Sequence, residues 1–194
     1  MTRSPEGVVV LDAKGLRALA HPVRVQLVDL LRKHGPSTAT RLAERLGANS
    51  GTASYHLRRL AAAGFVEEDT ERGNARERWW RSVHRSTRLT DEDGLTEREP
   101  EAVLAYMQSV AALYNLRVQK ALNELQTMPK PWRRVLDLSS HAFRLTLEEA
   151  EQLREDLVEL VERYRRDGEE APPDAVRVYL MPHVLPELDD PEEP

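Results

Sequence analysis

The sequence predicts a mainly α fold with a small β component (α+β), and three observations carry that expectation. Between Ser37 and Gly64, two short runs of helical periodicity are split by Gly47. Just beyond them, Gly73-Asn74 separates two stretches of strand character, and that dipeptide is a strong hairpin signal. Further on, Leu104, Met107, Ala111, Tyr114, Val118, Ala121 and Leu125 alternate spacings of three and four, which is the seam of a long helix.

In chain order, residues 1–11 read as a short lead or arm. Asp12 is a good N-cap for a helix carrying Leu16 and Leu19. His21-Pro22 breaks that helix and starts the next, because proline is tolerated in a first turn. Val25, Leu27, Val28, Leu30 and Leu31 give this second helix an apolar face, and Gly35-Pro36 ends it.

Ser37 or Thr38 can cap the third helix, whose stripe is Ala39, Leu42, Ala43 and Leu46. Asn49 or Ser50 can cap the fourth, with Ala53, Leu57 and Leu60 facing inward. The helical step puts Gly51, Tyr55, Arg58, Arg59 and Ala62 on the opposite side, with Ser54 and His56 on the flanks. A polar, basic face that begins with small residues suits close approach to a DNA major groove. The plainer reading is a helical hairpin whose polar face meets water. The segment that follows weighs against it, because Arg72, Arg76, Arg78 and Arg81 lie on or near a hairpin whose tip can run along a phosphate backbone. Helix, turn, helix and basic hairpin make a winged helix-turn-helix over residues 12–88. In Trp79-Trp80, adjacent strand positions point one ring toward the helical core and the other away.

Charge divides along the chain. Residues 1–88 hold 16 basic and 9 acidic side chains, a balance of +7, and the remainder holds 12 and 24, a balance of −12. The first part can meet a polyanion and the second should avoid one. No cysteine is present, which excludes disulfides, thiolate metal sites and cysteine nucleophiles. The N-terminal apolar run is too short for a signal peptide, and no apolar stretch reaches membrane-spanning length. The expectation is a soluble cytoplasmic protein without a membrane partner.

Leu19-Ala20-His21-Pro22-Val23-Arg24, Ser54-Tyr55-His56-Leu57, Gly64-Phe65-Val66 and Arg76-Glu77-Arg78-Trp79-Trp80 together resemble the ArsR-type winged-helix regulators, especially longer members without metal sites. The resemblance covers about Leu11 to Arg88. It implies a dimeric bacterial transcriptional regulator that reads DNA with Ser50 to Arg59. The metal-sensing members carry a Cys-x-Cys motif where this chain has Ser37-Thr38-Ala39-Thr40, and the six histidines show no ligand-like spacing. No metal and no cofactor are therefore expected.

Residues 89–99 read as a linker, and Glu99 or Pro100 opens the long helix, which ends near Met128-Pro129-Lys130-Pro131. Its seam is the expected dimer interface, widened by Val103, Val110, Leu113 and Leu122. Packing within the same chain is the alternative. Phe143-Arg144-Leu145 and the alternating run Val176 to Met181 read as strands. Between them, Thr146 and Glu149 form a capping box for a helix to about Arg166. Residues 100–183 are thus expected to be a long dimerisation helix with a small α+β unit, a platform for pairing or for enclosing a small-molecule effector. Residues 184–194 read as an acidic disordered tail.

Phosphate loops, G-x-S-x-G, H-E-x-x-H and calcium-loop spacings are absent, so no enzyme is expected. The leading expectation is a sequence-specific regulator that binds double-stranded DNA as a homodimer. Ser50, Gly51, Thr52, Ser54, Tyr55, Arg58 and Arg59 would sit at the major groove. Ser37, Thr38, His56, Arg72, Asn74, Arg76 and Arg78 would sit along the backbone. The alternatives are a winged-helix module whose acidic half docks a protein, and a regulator that senses a small molecule through its C-terminal unit.

Overall fold

The computed structural model describes residues 2–3, 7–72, 77–91, 94–164 and 172–188. Strands β1 (Thr2–Arg3) and β2 (Val8–Val10) lead into helices α1 (Ala13–Leu19) and α2 (Pro22–His34). Strand β3 (Ser37–Thr38), helices α3 (Ala39–Leu46) and α4 (Ser50–Ala62), and strands β4 (Val66–Glu68), β5 (Trp79–Ser82) and β6 (Ser86–Arg88) follow. The chain then forms α5 (Leu95–Arg98), α6 (Pro100–Asn123), α7 (Lys130–Arg133) and α8 (Leu147–Arg163). The α+β class holds.

Local chemistry sets the helix starts. The Asp12 carboxylate accepts from the Gly15 amide at 2.7 Å, and Asn49 Oδ1 accepts from the Thr52 amide at 2.7 Å. His21 Nδ1 accepts from the Val23 amide at 3.2 Å, so the ring caps α2 directly ahead of Pro22. Between α3 and α4 the chain reverses through Gly47 at φ 63° and ψ 30°, a left-handed conformation that glycine adopts without a Cβ penalty.

Two compact units divide the chain at Thr127 and Met128. In the first, α1 to α4 bury Leu16, Leu27, Leu42, Leu57, Leu60 and Phe65 completely, together with Val9 and Val66 from the strands. Each such side chain contributes about 1.5–3 kcal/mol of burial free energy. One antiparallel sheet has the order β3-β5-β4, with Ser37 opposite Trp80 and Val66 opposite Ser82. A second sheet has the order β1-β2-β6, and β2 runs parallel to β6 with Val8 opposite Ser86. Helix α6 lies on α1 and α2, burying Val103 and packing Ala102 and Tyr106 against the core. Arg32 fastens α2 to the end of the sheet, donating from Nε to the His84 carbonyl and from a terminal nitrogen to Thr87 Oγ1, both at 2.8 Å. Burial lowers the Arg32 pKa to about 10 and raises that of Tyr106 to about 12.

Several sequence expectations need correction. The supposed lead contains β2, whose Val8 and Val9 are buried, so residues 8–10 belong to the core. The supposed linker 89–99 contains α5, anchored by buried Leu95. The first unit therefore runs on through α6 rather than ending near Arg88, because α6 packs on α1 and α2.

In the second unit, α8 starts at a complete capping box, with the Thr146 hydroxyl accepting from the Glu149 amide and the Glu149 carboxylate accepting from the Thr146 amide. The strands expected at Phe143–Leu145 and Val176–Met181 do not form. Both segments lack regular secondary structure and are exposed apart from half-buried Met181, since alternation alone supplies no ladder partner. The short helix α7 went unforeseen. Residues 73–76 with Gly73-Asn74, residues 165–171 beyond α8, and residues 189–194 of the expected tail lie outside the described residues.

Candidate nucleic-acid interface

Helix α4 is held by its inner face. Ala53, Leu57 and Leu60 are completely buried, and the Asn49 cap fixes the first turn. Gly51, Tyr55, Arg58, Arg59 and Ala62 all lie exposed on the other side, as the helical step requires, along with Ser50 at the N-terminus. Thr52 and Ser54 are half-buried on the flanks of that face. The Arg59 guanidinium lies 5.8 Å from the Tyr55 ring centroid, and Arg58 Nε donates to the Ser54 carbonyl at 3.3 Å. The exposed face thus carries two guanidiniums, one of them stacked on an aromatic ring, at the end of a short helix whose first turn bears only small side chains.

Three expected backbone contacts turn out to serve the fold. Ser37 and Thr38 are buried in β3, and Thr38 Oγ1 accepts from the Arg41 amide at 3.4 Å as the cap of α3. His56 was expected on a flank but is only 6% exposed. Its ring packs 4.5 Å from that of His21, so the helix-capping histidine of α2 meets a histidine of α4 inside the protein. His56 Nδ1 is buried without a hydrogen-bond partner. Burial lowers the pKa of both rings, and Arg24 lowers both further. Both rings therefore hold a proton less readily than a free imidazole.

The hairpin is real, but its charge is not what composition suggested. Antiparallel pairing puts Glu67 opposite Arg81, with the Arg81 Nε to Glu67 distance at 2.8 Å. Arg78 pairs with Glu68 at 3.3 Å, and Arg72 lies 3.5 Å from buried Asp69. Three described arginines of the wing thus face three carboxylates of the same hairpin. Arg41 covers the half-buried Trp79 ring at 5.0 Å while Trp80 is buried in the core, so the two tryptophans do point to opposite faces. Asn74 and Arg76 lie outside the described residues.

Positive charge gathers elsewhere. A cavity of about 290 Å³ lies beside α4 and is lined by Lys14 and Arg17 of α1, Arg24 of α2, and Arg59, Ala62 and Ala63 at the end of α4. No sequence spacing links Lys14, Arg17 and Arg24 to Arg59; the packing of α1 and α2 against α4 brings them together. The Arg24 side chain donates to the Arg17 carbonyl at 3.1 Å. Arg17 also pairs with Glu99 at the start of α6.

The α6 seam splits into two faces. Val103 and Ser109 point inward, and Arg117 pairs with Asp29 of α2. Leu104 is 58% exposed, Met107 is 53% exposed, and Ala111 is exposed with them. Tyr114, Val118, Ala121 and Leu125 are half-buried.

A family model described as a helix-turn-helix domain matches residues 19–69, from the end of α1 through α4 and β4. Within that span, α3 and α4 form the helix-turn-helix of the fold. The match supports a DNA-binding transcription regulator. No curated protein matches the chain. Among solved structures, an apo double mutant of ZitR from Lactococcus lactis is similar at 17% identity over 74% of this chain and 82% of that one, with a TM-score of 0.30. A disulfide-formed AbfR is similar at 15% identity over 70% of each chain, with a TM-score of 0.28. No helix among the described residues is long and apolar enough to cross a membrane.

Proposed function

We propose that this protein is a sequence-specific, ArsR-type transcription regulator that binds double-stranded DNA as a homodimer. The observation that carries the reading is the split of α4 into a fully buried apolar face and an exposed face of Gly51, Tyr55, Arg58 and Arg59. A rigidly held helix with that outer face suits insertion into a major groove, where an arginine can pair bidentately with guanine. Ser50, Thr52 and Ser54 lie beside it, within reach of base edges or phosphates. The exposed Leu104, Met107 and Ala111 of α6 supply an apolar strip for a second copy, and two-fold symmetry matches paired half-sites. At 1.5 Å per residue, the 24 residues of α6 offer a contact roughly 36 Å long.

Selection of binding sites from random duplexes, followed by Arg58→Ala, tests the reading. The substitution should cost about 1–3 kcal/mol on the selected site and much less on random duplex. Equal loss on both would remove Arg58 from base reading. Sedimentation of the free protein at micromolar concentration should give a dimer, and Met107→Glu should give a monomer.

A second reading keeps the winged helix as a protein-docking scaffold, and the pairing of Arg72, Arg78 and Arg81 within the hairpin favours it. A salt titration separates the two, because only DNA binding releases condensed counterions steeply.

A further inference from the structure

The basic cavity flanking α4 has a composition that structural packing does not account for. Lys14, Arg17, Arg24 and Arg59 converge on it beside Ala18, Ala62 and Ala63, and among the described residues no carboxylate lines it. Arg17 has Glu99 as a partner, whereas Arg24 has the Arg59 charge nearby, donates from a terminal nitrogen to the Arg17 carbonyl, and keeps its Nε buried with no hydrogen-bond partner. Burial and the Arg59 charge together push the Arg24 pKa down. Like charges gathered around a partly dry donor are unfavourable until an anion joins them. The small alanine side chains leave the centre open, and about 290 Å³ is ample for a phosphate group. Arg59 belongs both to this cavity and to the exposed face of α4, so the cavity continues that face along the same side of the unit.

We propose that this cavity is a phosphate-binding site that grips the sugar-phosphate backbone beside the groove entered by α4, with Lys14 and Arg24 as its principal donors. The inference rests on the DNA-binding reading and deepens it, moving the main backbone contact from the hairpin to the α1–α2–α4 cavity. Guanidinium forks and an ammonium group suit phosphate oxygens, and each neutralised phosphate steepens the salt dependence of binding.

The test uses the full-length protein and fluorescence anisotropy on a selected duplex and a random one across a salt titration. Lys14→Gln and Arg24→Gln should each weaken both duplexes several-fold and reduce the slope of log K against log salt by about 1. Lys130→Gln, the same charge loss in the second unit, should leave the slope unchanged. Lys14 is exposed on α1, so Lys14→Gln decides the matter if circular dichroism shows that Arg24→Gln does not fold.

A steep wild-type slope that both variants leave intact overturns the cavity proposal alone. A wild type with no salt-dependent binding to any duplex overturns the DNA reading itself and, with it, the backbone as occupant. A parallel arm compares melting temperature in inorganic phosphate and in chloride at matched ionic strength. A phosphate-specific rise abolished by Lys14→Gln, with the DNA slope unchanged, assigns the site to a soluble phosphate compound and overturns the backbone assignment.

Discussion

Residues up to Thr127 and residues from Met128 onward obey the same local rules and reach different ends. Both contain well-capped amphipathic helices: Asn49 serves α4 as Thr146 serves α8. In the first unit those helices close on one another around Leu16, Leu27, Leu57, Leu60 and Phe65. Among the described residues of the second unit, none is buried. Leu153, Leu157 and Leu160 of α8 keep the right period but are only half-buried. Capping and periodicity decide whether a helix forms, whereas a core needs several apolar faces brought together by topology. Stability should therefore reside in the first unit.

The largest test of that contrast is a pair of leucine truncations. Leu57→Ala removes a fully buried side chain and should cost about 2–5 kcal/mol by urea unfolding. Leu157→Ala should cost under about 1 kcal/mol in the same assay, because much of that side chain already meets water. Matching losses would reveal a core in the second unit.

Acid comes next. His21 and His56 have depressed folded-state pKa values, so the unfolded chain binds their protons first. Their contribution is intact above the ordinary histidine value of about 6.5 and declines as pH falls through the window below it. The urea midpoint should drop across that window, because Arg24 raises the cost of a new positive charge on the pair. His56→Gln should flatten the drop, and an unchanged slope would place the titration elsewhere.

A cap substitution sharpens the comparison further. Asn49→Ala should lower global stability by about 1 kcal/mol, since α4 melts only with the core. Thr146→Ala should reduce helical circular dichroism while leaving the main unfolding midpoint in place. The smallest effect belongs to the hairpin. Arg78→Ala breaks an exposed ion pair worth about 0–1 kcal/mol and should change the salt slope of DNA binding less than Lys14→Gln. A larger change would restore the wing as the chief backbone contact.

What could be read from the sequence was local. Leu42, Ala43, Ala53, Leu57 and Leu60 announced their burial by spacing, and Asp12, Asn49 and Thr146 announced the helix starts. Proline and glycine marked the breaks at Pro22, Gly35 and Gly47. What could not be read depends on distant segments meeting. Val8–Val10 and Ser86–Arg88 are three-residue strands that gain meaning only as a pair. Strand register sets Glu67 opposite Arg81 and brings Glu68 to Arg78, a pairing that the two strands' spacing alone does not announce. Lys14, Arg17, Arg24 and Arg59 come from three helices, and no spacing rule joins them. The opposite error arose at Val176 to Met181, where a strand-like pattern found no neighbouring strand.

The parallel clasp between β2 and β6 has a mechanical corollary. Two parallel segments release their following chain from the same end, so the starts of α1 and of the α5–α6 stretch are stitched side by side, with the Leu11 amide donating to the Arg88 carbonyl at 3.0 Å as the last stitch. Arg17 and Glu99 add a cross-tie a turn or two later. The starts of α1 and α6 are thus tied at one place, so a displacement of α6 should be felt first at the Lys14 and Arg17 side of α1.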